Sequence, residues 1–332
     1  MEVTKQRIYW IDLCRLFIII TVAINHVPPK LGEIFHDWNH YLVITPSFFL
    51  SGYCFNSAAS KLLSDYFSRK CRTLLRPTLC FFFFFYILWL LGGKALANDD
   101  SIAWYTPLIE LATGQLDTII APMWYVIALF VIQPLYFILR EHLPANWLFP
   151  VCLVMGCVSS VLPIPHFWEF HQALLYLPVY ALGAAYRRNN EVFGRIPFAA
   201  VILLCIVGIV LFTVLEYDST PYLLALSPFI MVFTYAWVRV IITGAEWIDR
   251  NCTHYQWISD MGGNTIILLA VHCYVIGVTK VLVDHLLQTE GYLEGHPLYK
   301  IPIGLFSIFS LYPLVIFILR YVPWILGKKK KV

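Results

Sequence analysis

Charged side chains are scarce in this chain. Asp, Glu, Lys and Arg make up 13% of its 332 residues, against 60% hydrophobic and 17% aromatic. A soluble domain of this length cannot present so little polarity to water, so the composition excludes that class and places the chain among multi-pass helical membrane proteins. Its nine cysteines contain no C-x-x-C pair and most lie in apolar runs, which favours small buried hydrophobes over a disulfide framework or a metal site. No Walker loop, G-x-G-x-x-G, H-E-x-x-H or G-x-S-x-G occurs, so the familiar soluble nucleotide-binding, metallopeptidase and serine-hydrolase fingerprints are missing. There is no internal repeat and no stretch left over for a soluble domain.

What is present is a series of apolar runs long enough to span a bilayer, near 8–27, 42–60, 75–93, 122–139, 147–164, 173–186, 198–215, 222–243, 262–283 and 301–322. The first follows Lys5 and Arg7 like a signal peptide. Asp12 and Arg15 interrupt it and no small-x-small cleavage site follows, so it reads as a retained anchor. With the N-terminus inside, 18 of the 23 basic residues fall in inner segments, including the run Lys328, Lys329, Lys330 and Lys331. Four fall outside: Lys30, Lys94, Lys280 and Lys300. This bias predicts an even number of spans with both termini cytoplasmic. The expected fold is therefore all-α, a polytopic bundle of about ten transmembrane helices forming one domain over residues 1–332. The stretch 98–121 is too polar for a span and is expected to lie at the interface or re-enter.

The outer loops collect acidic residues and seven of the ten histidines (His26, His36, His40, His166, His171, His285 and His296), with Trp38, Trp104 and Trp168 nearby. Part of this is an aromatic belt; the rest suits a hydroxyl-rich ligand approached from outside.

Within the first run, Asp12, Arg15 and His26 are costly, at roughly 2.5–3.5 kcal/mol for a charge at a helix centre. Arg15 and His26 are eleven positions apart, about 20° beyond three full turns, so they share a face with a rise of roughly 16 Å between them. Asp12 can pair with Arg15 one turn away. The alternative is that both charges snorkel to the inner surface while His26 ends the helix. In the second run, TPSFFLSGY offers Gly52 for close helix approach and Ser51 for a bond across it. The sequence FSRKCRTLLRP at the mouth of the third run carries Arg69, Lys70, Arg72 and Arg76. Such a patch serves lipid headgroups or, with arginine's planar fork, a polyphosphate ligand. Trp124 stands at the outer end of the fourth run in PMWYVIALF, and His272 lies mid-span in LLAVHCYV, where function and a backbone hydrogen bond are equal readings.

The order of these motifs resembles the acyltransferase-3 family of integral membrane acyltransferases. The resemblance rests on WIDLCR with Arg15 and His26, then FFLSGY, the Arg69 and Arg72 entry, PMWYVIALF and the late-helix histidine. Within the family it is most similar to the short sugar O-acetyltransferases of the fucose and enterobacterial surface-polysaccharide type. Leu16 stands where many members have glycine, and Arg76 precedes Pro77 where an apolar residue is commoner. The resemblance implies O-acetyl transfer from cytoplasmic acetyl-CoA to a glycan hydroxyl outside a bacterial inner membrane. His26 and Arg15 would be the essential pair, and Arg69, Arg72 and Arg76 would hold the nucleotide phosphates. Asp12, Ser51, Trp124 and His272 are further site candidates. No metal and no nucleic acid are expected as partners. A transporter or flippase for a glycan-type substrate is the rival class, disfavoured by the missing inverted repeat.

Overall fold

A computed structural model describes residues 8–28, 40–56, 62–94, 101–214, 228–288 and 297–328. The outer-loop residues Glu33, His36, Asp37, Trp38, Asp99, Asp100, Glu216 and Asp218 lie outside them, as do Lys5, Arg7 and Lys329 to Lys331. Among the described residues the secondary structure is helical, with no strand.

In chain order, α1 is Tyr9–His26, α2 is Thr45–Tyr53 and α3 is Leu63–Gly93. Within the stretch expected at the interface lie α4, Thr106–Thr113, and a short helical turn at Asp117–Ile120 that leads into the next long apolar helical stretch. Then follow α5 (Trp124–His142), α6 (Ala145–Val161), α7 (Phe170–Arg188), α8 (Phe198–Val214), α9 (Pro228–Asn251), α10 (Gln256–Gly262) and α11 (Thr265–Leu287). The last two are α12 (Lys300–Phe309) and α13 (Tyr312–Tyr321). Among the described residues five helical stretches are long and apolar enough to cross a membrane: Tyr9–His26, Leu63–Gly93, Asp117–His142, Thr265–Leu287 and Lys300–Tyr321. Shorter apolar helices occupy Leu42–Tyr53, Ala145–Val161 and Phe198–Val210. An all-α membrane bundle is therefore what the chain forms.

Prolines explain where the helices depart from the expected runs. A proline inside a helix removes one hydrogen bond and its ring crowds the carbonyl four residues earlier. Ahead of Pro46 the backbone widens into a π-helical turn at His40–Ile44, and the Leu42 carbonyl that Pro46 cannot reach accepts from Trp237 Nε1–H at 2.9 Å. Ahead of Pro77 a second wide turn, Cys71–Leu75, lets the basic entry continue as helix. The third helix thus starts at Leu63, about three turns before the expected position 75. Pro313 coincides with the break that divides the last expected span into α12 and α13.

Glycines set the tightest approaches. A Cβ on Gly52 would overlap the Tyr180 carbonyl, and one on Gly183 would overlap that of Phe49, so α2 and α7 cross backbone to backbone. Likewise Gly262 of α10 lies against the Asp12 carbonyl of α1. The buried side chains form two large clusters. One joins α2, α5, α6, α7 and α9, the other α3, α5, α11 and α13, and α1 contributes to both. Val22, Leu74 and Tyr125 pack against both clusters, and a cavity opens at that seam.

Candidate active site

The cavity has a volume of about 930 Å³. One end is basic, with Arg69, Lys70, Lys328, Tyr66 and Asn264 in its wall; the other holds Asn25, His26 and Pro122. Arg15 lines the passage between them. The shared helix face expected for Arg15 and His26 is thus turned onto one continuous space.

Arg15 is 38% exposed, into that space. Its Nη1 is 3.8 Å from Asp12 Oδ1, and its Nη2 is 3.5 Å from Cys54 Sγ. Asp12 itself is buried between α1 and α10. The pairing one turn apart is present, at long range, while the guanidinium points into the cavity.

His26 is exposed to the cavity at the end of α1. Its Nδ1 lies 2.8 Å from the Val22 carbonyl oxygen. A carbonyl can only accept, so the hydrogen-bond network assigns the ring proton to Nδ1 and leaves a lone pair on Nε2. His272 is fully buried on α11, and its Nδ1 bonds the carbonyls of Leu268 and Leu269 at 3.0 and 3.1 Å. By the same reasoning His272 Nε2 is an acceptor, and it faces His26 Nδ1 at 3.5 Å with the rings edge-on. Cys273 Sγ is 3.4 Å from the same Nε2. His26, His272 and Cys273 offer donor atoms within 4.8 Å of one another, the spacing of a metal site. The proton that the Val22 carbonyl requires on His26 Nδ1 occupies the position a metal would need, so the geometry fits a hydrogen-bonded imidazole pair better.

Ser51, Cys54 and Trp124 also line the cavity. Tyr125 ties the wall together: its hydroxyl donates to Ser47 O at 3.1 Å and accepts from Ser51 Oγ at 2.9 Å, bridging α5 to α2. Of the three arginines expected at the phosphates, Arg69 lines the cavity, with its guanidinium over the Tyr66 ring. Arg72 and Arg76 do not line it: Arg72 Nε–H donates to Ser68 O and Arg76 Nη1 to Trp324 O, around a separate shallow groove. The wide turn at Cys71–Leu75 accounts for this split: positions 69, 72 and 76 would share one face of a plain α-helix, and the turn shifts the helical phase so that Arg72 and Arg76 leave the cavity side.

Several lining residues were not singled out from the sequence. Lys328, beyond α13, bonds Asn264 between α10 and α11, a pairing across 64 residues that leaves no local signal. Tyr66 stacks on Phe137 at 4.7 Å beneath the basic end. Gln133 stands alone as a carboxamide in the apolar run of α5, and the rule that intramembrane polar groups mark function could have found it.

Comparison with known proteins agrees with this arrangement. No curated protein and no solved structure matches the chain. Residues 8–326 match the family model described as an acyltransferase domain. That match takes in every residue of the cavity wall except Lys328. With the polar passage held inside an apolar helix bundle, it shows that the chain is a membrane acyltransferase and belongs to the acyltransferase-3 family.

Proposed function

We propose that this protein moves an acetyl group from cytoplasmic acetyl-CoA to a hydroxyl of an extracytoplasmic glycan, or of its lipid-linked precursor, in a bacterial inner membrane. The observation that carries this reading is the single cavity with a basic entrance at one end and a histidine with a free lone pair at the other. A donor with several phosphates suits the first, and a hydroxyl acceptor suits the second.

Arg69, Lys70 and Lys328 would hold the nucleotide phosphates by charge-assisted hydrogen bonds. The donor's arm would pass Arg15 and carry the thioester toward His26. The rise of roughly 16 Å means that no single carbonyl reaches both residues. Arg15 therefore grips the arm, and His26 works at the reacting carbon. The acceptor oxygen attacks the thioester carbonyl while its proton passes to His26 Nε2. The tetrahedral intermediate then collapses, the C–S bond breaks, and the thiolate takes the proton back from the imidazolium. Asn25, beside His26 at the cavity wall, is placed to contact the acceptor. The Ser51–Tyr125 pair keeps α2 in register with α5 around the arm.

Membrane vesicles supplied with labelled acetyl-CoA and acceptor glycan test this. Label should appear in glycan with the native chain and disappear with His26→Ala, while the variant still inserts. Full acetylation by a well-expressed His26→Ala protein overturns the assignment. Movement of glycan without acetyl transfer would point to the rival transporter class.

A further inference from the structure

Gln133 lies on α5, eight residues beyond Tyr125 and so about 12 Å further along the helix toward the basic end. One turn later Phe137 stacks on Tyr66 at the entrance. Gln133 is 7% exposed and lines the cavity. Its Oε1 is buried with no hydrogen-bond partner among the described residues. Carboxamide oxygen and nitrogen are assigned from their partners, so turning the group over would leave its nitrogen in the same unpaired position. A buried polar atom without a partner is costly, and proteins keep very few of them. Here the cost falls on a cavity wall, between the entrance and the Ser51–Tyr125 bridge and nearer the entrance, where a ligand could relieve it.

We infer that Gln133 is a donor-binding residue that pairs with a secondary amide in the arm of the acyl thioester. A secondary amide carries one N–H and one C=O, so it satisfies the carboxamide in either orientation. An alkyl chain cannot do so, and a thioester is a poor hydrogen-bonding group. The side chain thus selects an amide-bearing arm over a plain alkyl thioester of the same length, and holds the arm in register between the phosphates and Arg15. This rests on the acyl-CoA reading above and adds which part of the donor is read, and where.

The test uses the full-length protein in lipid with three probes: acetyl-CoA, S-acetylpantetheine and an amide-free S-acetyl alkanethiol of matched length. Gln133→Leu keeps the volume and removes the polar atoms. It should raise the KM for acetyl-CoA and S-acetylpantetheine roughly three- to tenfold, about 0.7–1.4 kcal/mol. The KM for the alkanethiol thioester and kcat should be unchanged. Without donor, the variant should melt at the same or a higher temperature than the native chain, because an unpaired buried atom has been removed. A lower melting temperature with an unchanged KM would assign Gln133 to packing and overturn the inference. An equal rise for all three probes would also overturn it. If the native protein transfers nothing from acetyl-CoA, the donor reading itself fails, which is distinct from an active native chain whose Gln133→Leu variant behaves identically.

Discussion

The separation of Arg15 from His26 along α1 makes a prediction about which kinetic constant each controls. Eleven residues of helix put roughly 16 Å between them, and a thioester carbonyl can sit beside only one. If His26 Nε2 takes the acceptor proton, replacing the imidazole by Asn removes the base while the cavity wall stays polar. General-base catalysis contributes about 10²–10⁴-fold, or about 2.7–5.4 kcal/mol at 1.36 kcal/mol per decade. His26→Asn should therefore cut kcat by that factor and leave the donor KM within about twofold. Arg15→Gln should do the reverse. A charge-assisted hydrogen bond to the arm contributes about 1.5–3 kcal/mol, so the donor KM should rise roughly 10- to 150-fold with a smaller change in kcat. Arg15→Lys keeps a cation beside the buried Asp12 and serves as the folding control. The assay is initial-rate acetyl transfer in proteoliposomes over a range of donor concentrations. If His26→Asn raised the donor KM and left kcat intact, the division of labour along α1 would be refuted.

Three further outcomes follow from the geometry. Gly52→Ala forces the α2 and α7 backbones apart at the Tyr180 carbonyl. It should lower stability by about 1–3 kcal/mol and weaken activity, because Ser51 and Cys54 move with α2; native-like melting and turnover would contradict this. His272→Leu preserves bulk but removes the acceptor facing His26 Nδ1. It should lower kcat severalfold with donor KM unchanged, and His272→Gln should restore part of it, whereas a packing role would favour Leu over Gln. Glu169, in the turn before α7, has its carboxyl pushed up to about 7 by burial and then by neighbouring Asp117. A raised acid pKa costs nothing below the unfolded value of 4.5; the cost grows as pH rises through the window and is complete above about 7. Glu169→Gln should thus raise stability by about 1–2 kcal/mol at pH 8, after screening, and change nothing near pH 4. Parallel melting curves across that range would rule this out.

Part of the cavity wall was readable in order along the chain. The cost of charge in a bilayer singled out Asp12, Arg15 and His26, and helical periodicity placed Arg15 and His26 on one face. The glycine of FFLSGY announced a close crossing, which is the contact of Gly52 with Tyr180. Other features were misplaced by the same reasoning. The dense patch of Arg69, Arg72 and Arg76 read as one clamp, but the wide turn at Cys71–Leu75 shifts the helical phase and leaves only Arg69 of the three on the cavity. The wide turns ahead of Pro46 and Pro77 left no sign in the sequence, and through the second of them the third helix begins at Leu63 rather than near position 75.

The sequence by itself determined that the chain is an all-α membrane protein and that its first helix carries a polar face. Those properties follow from local composition and from the period of the helix, which are recorded within some twenty residues. Only the tertiary structure decided what that face looks upon. The neighbour of His26, His272, comes from 246 positions away. The entrance joins Arg69 to Lys328, and Gln133 becomes an unpaired group only because α5 is packed at the seam of two cores. Contacts between distant helices are set by which faces and glycines fit together, and no local run of sequence contains that information.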